Sequence, residues 1–150
     1  MKKSRGFTLI ELMVVIVILG ILAAVIAPRI PQFVNKAKEG RTKGNLGTLR
    51  STLNIYYSDN DGIYPVDTLT ATLVPKYIKK IPDVVCPGSH LDPIATVRAD
   101  TTAGVLAPID TSGWNYENTS TEDNWGDICV NCSLHKDNTN AATGSAWSSF

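Results

Sequence analysis

One carboxylate, Glu11, stands inside a long apolar run, where it could form a charge pair. It is the only ionisable side chain from Phe7 to Ala27. An unpaired carboxylate inside a membrane costs on the order of 2 to 4 kcal/mol, so a cationic partner is expected. A cut after Gly6 would create an amine on Phe7, and Glu11 lies about one helical turn further on. An ordinary signal anchor explains this arrangement less well, because secretory leaders are cut after their apolar stretch.

The cysteines Cys86, Cys129 and Cys132 could form one disulfide and leave one thiol over. On a regular strand Cys129 and Cys132 point to opposite faces, so they cannot readily join each other. Cys132 shares the apolar face of its predicted strand. A Cys86–Cys132 pair is therefore the first choice and Cys86–Cys129 the second, while three unpaired core cysteines are a further alternative.

Metal binding has only weak signals. A zinc site of the Cys₃His type would use Cys86, His90, Cys129 and Cys132. A structural calcium ion would use the hard oxygen ligands of Glu122, Asp123 and Asp127, although a solvated acidic loop explains them more simply. No nucleophile motif or phosphate-binding loop is visible, and the chain has two histidines. We therefore expect no enzyme and no cofactor beyond that weak calcium candidate.

The elements around these residues predict an α+β fold. The run from Phe7 to Ala27, at about 1.5 Å per residue, covers roughly 30 Å and can span a bilayer. Pro28 and Pro31 then predict a kink. Beyond them Leu46, Leu49, Leu53 and Tyr56 form an apolar helical stripe. The helix should end near Asp59, before Asn60-Asp61-Gly62.

The last third of the chain predicts strands. Gly113 to Tyr116 and Asp127 to Leu134 are read as strands, paired antiparallel, with the polar segment Glu117 to Gly126 as a surface loop between them. The aromatic residues Trp147 and Phe150 are expected to pin the tail to the head. The sequence thus predicts a long N-terminal helix packed on a small antiparallel sheet.

The N-terminal segment resembles the cleavage and methylation signature of type IV pilins and type II secretion pseudopilins. The matching residues are Lys2-Lys3-Ser4-Arg5-Gly6 followed by Phe7-Thr8-Leu9-Ile10-Glu11-Leu12, and the resemblance covers Arg5 to Ile30. It implies that a prepilin peptidase cuts between Gly6 and Phe7 and methylates the Phe7 amine. It also implies an assembly role for Glu11 with Phe7, and helix melting between Gly20 and Pro28 during assembly. A static kink there is an equally good interpretation.

Charge and length suggest how the chain is divided. Residues 1–6 are a cytoplasmic leader that is cleaved, 7–27 the transmembrane half of the helix, 28–60 its soluble half and 61–150 a β-rich head with the disulfide. The cationic leader places the head on the far side of the inner membrane. Losing its three basic residues, Lys2, Lys3 and Arg5, makes the product acidic, which disfavours nucleic-acid binding.

Taken with the resemblance, these features predict the structural subunit of a type IV pilus-like filament. It would wait as a single-pass protein in the bacterial inner membrane and then join a periplasmic pseudopilus, for protein secretion, or a surface pilus (fimbrium). The implied partners are copies of itself, prepilin peptidase, an inner-membrane assembly platform, and minor pilins or pseudopilins. The alternative is a membrane-anchored periplasmic binding module that does not polymerise.

Overall fold

The structure is a computed structural model that describes residues 6–87, 90–100 and 113–132. The chain divides into two compact units, Met1–Lys36 and Ala37–Phe150. The boundary lies within the second helix, so most of that helix belongs to the same unit as the head.

The first unit contains a fully exposed apolar helix. Helix α1 covers Leu9–Ile26, a 3₁₀ turn covers Ala27–Arg29, and helix α2 covers Ile30–Asp59. Every residue of α1 is exposed, including its leucine, isoleucine and valine side chains. The helical stretch that begins at Leu9 is long and apolar enough to cross a membrane. Such a surface needs lipid or other protein to cover it.

In the second unit, α2 packs through the predicted leucine stripe. Leu46, Leu49 and Leu53 are each at most 3% exposed, because spacings of three and four residues place them on one face. The helix ends at Asp59, as predicted. Asp61 and Gly62 then adopt φ values of 53° and 82°, in the left-handed region that ends helices.

Two small sheets complete this unit. The short helix α3 (Thr70–Leu73) follows α2 in the chain and precedes the first strand. Strands β1 (Val84–Cys86) and β2 (His90–Ile94) pair antiparallel. The second sheet has the order β3 (Val97–Asp100), β4 (Trp114–Glu117) and β5 (Ile128–Val130).

The second sheet is mixed, which corrects the prediction of an antiparallel one. Strands β4 and β5 pair antiparallel, as predicted, but β3 and β4 run parallel, with Val97 opposite Trp114 and Asp100 opposite Glu117. A parallel pair needs a connection of a dozen or more residues, and the chain between these strands has that length. Because β3 was not recognised as a strand in the sequence, its pairing could not be predicted.

Both faces of β4 and β5 are buried. All residues from Gly113 to Glu117 and from Ile128 to Cys132 lie inside, so the alternation along β5 does not separate a core face from a solvent face. Trp114 and Tyr116 fill the core beside Leu49 and Leu53. The predicted strand up to Leu134 ends at Val130 as far as the structure describes it, and the predicted contacts of Trp147 and Phe150 lie outside the described residues.

Candidate processing and assembly site

The Glu11 carboxylate lies in the first turn of α1 and is bound by Thr8. The Thr8 N–H and hydroxyl both donate to the same carboxylate oxygen, Oε2, at 2.9 and 2.8 Å. In return, the Glu11 N–H donates to the Thr8 hydroxyl at 3.3 Å. These reciprocal bonds form a capping box, which satisfies donors that a helix end leaves open. The cap therefore defines where the apolar helix begins.

Thr8 is a functional residue that the sequence interpretation missed. Its signal is present, since Thr8-Leu9-Ile10-Glu11 has the S/T-x-x-E spacing of a capping box. In the uncleaved chain the Phe7 nitrogen is an uncharged amide, and the hydrogen bonds to the Glu11 carboxylate come from Thr8.

The predicted cleavage bond lies in open backbone. Gly6, Phe7 and Thr8 precede the helix, and the Phe7 side chain is 83% exposed. Peptidases act on backbone that is outside helices and strands and open to solvent. The Gly6–Phe7 bond meets both conditions, two residues before α1 begins.

Gly20 and Pro28, the two ends of the segment predicted to kink or melt, have different backbone structure. Helix α1 is continuous through Gly20. Pro28 lies in the 3₁₀ turn Ala27–Arg29, where the i to i+3 pattern replaces the α-helical one. The local irregularity of this region is thus at Pro28, and melting of Gly20 to Pro28 during assembly stays a prediction.

All three cysteines are buried, in two environments. Cys86 and Cys132 belong to the core cluster that contains Val84, Trp114 and Val130. Cys129 lies opposite Asn115 on the sheet and outside that cluster. Burial raises the pKa of the Cys129 thiol to about 11, so it stays protonated at neutral pH. The shared cluster favours the Cys86–Cys132 pair, which stays a prediction.

The candidate metal ligands are not clustered in the described part of the chain. Among the residues whose side chains the structure describes, no group of three His, Cys, Asp or Glu is placed to hold a metal. The three cysteines therefore make no zinc core, and the His90 side chain lies outside the description. Asp123 and Asp127 are exposed and Glu122 is half-buried on the turns after β4.

Two other oxygen atoms of the same loop lack hydrogen-bond partners among the described residues. They are Oε2 of Glu117, whose side chain is fully buried, and Oδ1 of Asn124. The loop is closed at its base, because the Glu117 N–H donates to the Asp127 carbonyl and the Gly126 N–H to the Glu117 carbonyl, both at 3.0 Å. No sequence pattern marks Glu117, since its burial depends on the tertiary structure.

Comparison with known proteins agrees with the N-terminal site. Residues 1–27 match the family model described as prokaryotic N-terminal methylation motif. The chain is 33% identical over 112 residues to type II secretion system core protein G of Klebsiella michiganensis, which covers 59% of the chain and 78% of that protein. The corresponding protein of Dickeya chrysanthemi is 32% identical over 111 residues, covering 59% and 72%.

Pilus proteins are similar over shorter stretches. Fimbrial protein EcpC of Eikenella corrodens is 37% identical over 84 residues, or 53% of the chain, and the chain spans about half (54%) of its length. Type IV major pilin protein PilA of Myxococcus xanthus is 42% identical over 59 residues, covering 39% of the chain and 27% of that pilin. No solved structure matches the chain significantly. The agreement of the methylation motif, the capped apolar helix and these relatives shows that the chain belongs to the family of type IV pilins and type II secretion pseudopilins.

Proposed function

We propose that the chain is a structural subunit of a type IV pilus-like filament, released from its leader by prepilin peptidase between Gly6 and Phe7. The observation that carries this proposal is the position of Glu11, a carboxylate in the first turn of an apolar helix whose every residue is exposed. An exposed surface of this kind needs lipid before assembly and neighbouring helices afterwards.

Assembly would use the chain's own charges. Thr8 satisfies hydrogen bonds of the Glu11 carboxylate but does not neutralise its charge. Cleavage and methylation place a cationic amine on Phe7, and a Glu11 of a neighbouring subunit would pair with it as the helix leaves the bilayer. Contacts of this head-to-tail kind do not close on themselves, so they generate a filament.

The proposed subunit waits in the bacterial inner membrane with its head in the periplasm. An inner-membrane assembly platform would then add it to a filament that also contains minor pilins or pseudopilins. The product is a periplasmic pseudopilus or a surface pilus, and a sheared extracellular fraction that contains the fibre would identify the pilus. A membrane-anchored binding module that does not polymerise is the alternative, but it gives no role to Gly6 and Glu11.

The test compares the parent chain with Glu11→Val, Glu11→Gln and the head variant Asp59→Asn. Intact-mass and N-terminal peptide mass spectrometry should find N-methylated Phe7 in the parent. Both Glu11 variants should insert into membranes and lose most filament incorporation, whereas Asp59→Asn should assemble like the parent. An intact leader in the parent chain, or normal assembly of Glu11→Val, would overturn the proposal.

A structural calcium ion in the loop between β4 and β5 is a second proposal. The buried Glu117 Oε2 and the Asn124 Oδ1 lack partners within the described residues, and both are hard oxygen ligands of the type calcium prefers. The ion would supply positive charge that holds this loop against the head. The full chain should therefore melt at a higher temperature in calcium than in chelator, and Glu117→Gln should abolish that difference. Asp59→Asn, which changes an exposed carboxylate at the end of α2, serves as the control and should retain it; an equal response to both substitutions would refute this ligand set.

A further inference from the structure

Two basic side chains and an aromatic ring follow the apolar span directly. Arg29 ends the 3₁₀ turn, and Phe33 and Lys36 lie in the first turns of α2. Their spacing of four and then three residues brings them to nearly the same side of the helical path. All three are exposed, Phe33 at 60%. We name Arg29, Phe33 and Lys36 the juxtamembrane face.

The juxtamembrane face lies within reach of lipid headgroups. Arg29 is two residues beyond Ala27, and Lys36 lies about 14 Å beyond it at about 1.5 Å per residue. The headgroup layer extends roughly 5 to 8 Å past the hydrocarbon core. A long cationic side chain can bend back by several ångströms, and charges act over a Debye length of about 8 Å. Both cations can therefore interact with lipid phosphates.

No acidic residue lies between Arg29 and Lys36, and the first one beyond them, Glu39, pairs with Lys43. Between Glu11 and Glu39 the chain contains no aspartate or glutamate. Arg29 and Lys36 form no ion pair with any residue the structure describes, whereas the Arg41 guanidinium lies 2.9 Å from the Asp83 carboxylate and the Lys43 amine 2.9 Å from that of Glu39. The first two cations after the span are thus open to a ligand.

We propose that the juxtamembrane face binds anionic phospholipid headgroups in the leaflet on the head side of the membrane. Arg29 and Lys36 pair with lipid phosphates, and the apolar Phe33 ring between them lies at the boundary between headgroups and acyl chains. The inference rests on the proposed function for the membrane-inserted stage before assembly and for the cleavage of the leader. Cleavage removes Lys2, Lys3 and Arg5 from the other end of the span. The juxtamembrane face then supplies the cations that hold the mature subunit at its depth.

Native mass spectrometry of the full chain tests the proposal, after reconstitution in nanodiscs with equal amounts of phosphatidylglycerol and phosphatidylcholine. The measured quantity is the ratio of the two lipids that stay bound. We expect Arg29→Gln with Lys36→Gln to lower this ratio up to about thirtyfold, the factor for two basic residues near an anionic surface. Arg29→Lys with Lys36→Arg keeps both charges and should keep the ratio. Lys79→Gln with Lys80→Gln, which removes two exposed cations of the head, should also leave it unchanged.

An unchanged ratio in the Gln double variant would overturn the proposal, as would an equal decrease in the head variant. Membrane insertion and Phe7 methylation are measured on the same samples. If the parent chain is neither methylated nor assembled while the lipid ratio responds as expected, the filament function fails and the lipid proposal stands. If assembly is normal and the lipid ratio does not respond, the lipid proposal fails and the filament function stands.

Discussion

The Glu11 carboxylate receives two hydrogen bonds from Thr8, at 2.9 Å from the backbone N–H and 2.8 Å from the hydroxyl. The two residues thus cap the apolar helix before any processing takes place. Hydrogen bonds from neutral donors leave the negative charge in place, so the carboxylate still needs a cation inside lipid or a filament. The observed cap and the proposed charge pairing would be separate tasks of one side chain, and different substitutions should separate them.

Substitution of Thr8 by Val should loosen the start of α1 without removing the charge of Glu11. The hydroxyl accepts from the Glu11 N–H, and loss of such a cap costs about 1 kcal/mol. Hydrogen exchange of the full chain in nanodiscs should therefore be several-fold faster at the amides of the first turn. Thr8→Ser retains the hydroxyl and should exchange like the parent. Equal protection of the first turn in Thr8→Val and the parent would show that the cap contributes nothing there.

Thr42 should matter more for head stability than the ion pair beside it. Its buried hydroxyl donates to the Val85 carbonyl at 2.9 Å and accepts from the Val85 N–H at 3.1 Å. Thr42→Val leaves both backbone groups without this partner and should lower the free energy of unfolding by about 1 to 3 kcal/mol.

Arg41→Gln provides the comparison for Thr42→Val. It removes the ion pair with Asp83, in which the Arg41 side chain is 52% exposed and that of Asp83 25%. The free energy of unfolding should therefore fall by less than about 1 kcal/mol. Urea denaturation of the full chain in micelles, followed by tryptophan fluorescence, measures both variants. A larger loss in Arg41→Gln than in Thr42→Val would contradict the expectation.

If the predicted Cys86–Cys132 disulfide forms, differential alkylation should identify Cys129 as the remaining thiol. Burial raises the pKa of Cys129 to about 11, so the folded protein should react slowly with iodoacetamide at neutral pH. After unfolding without reductant, peptide mass spectrometry should find label on Cys129 alone, and on Cys86 and Cys132 only after reduction. Label on Cys132 before reduction would favour the Cys86–Cys129 pair, and label on all three would show that no disulfide forms.

Alkaline pH should destabilise the head through Tyr116. Its hydroxyl donates to the Pro65 carbonyl at 2.7 Å, and burial, followed by the charge of Asp67, raises its pKa. In the unfolded chain the phenol ionises near pH 10, while in the fold it keeps its proton. Because the pKa of Tyr116 is higher in the folded than in the unfolded protein, the free energy of unfolding should be unaffected by this group below about pH 10 and should fall as the pH rises further.

The variant Tyr116→Phe isolates this contribution. It should lower the free energy of unfolding by about 1 kcal/mol at neutral pH, through loss of the hydrogen bond to Pro65. Its stability should then fall less steeply than that of the parent between about pH 9 and about pH 11. Urea midpoints across that range provide the measurement. Parallel pH curves for the two proteins would assign the alkaline loss to other groups.

The features that could be predicted were those that neighbouring residues produce. Leu46, Leu49 and Leu53 became the buried stripe of α2, because a helix repeats every 3.6 residues whatever it packs against. The stop after Asp59 followed from the left-handed conformations of Asp61 and Gly62. Thr8 could also have been recognised as a cap from its spacing to Glu11. Each of these signals lies within one or two helical turns.

Gly126 shows how tertiary contacts add requirements that no local pattern reveals. A Cβ atom there would lie 2.5 Å from the ring of Tyr64, a residue distant in sequence, and its φ of +93° already favours glycine. The parallel register of Val97 with Trp114 likewise has no local sequence signal, since it joins segments separated by a long connection.

The apolar span, the candidate processing bond, the capped start of α1 and the end of α2 can each be recognised in the sequence, because each depends on residues close together in the chain. The mixed sheet, the burial of Glu117 and the common cluster of Cys86 and Cys132 become visible in the folded chain alone. Those features arise where strands distant in sequence meet, and the free energy of that packing is shared among many side chains that no short motif specifies.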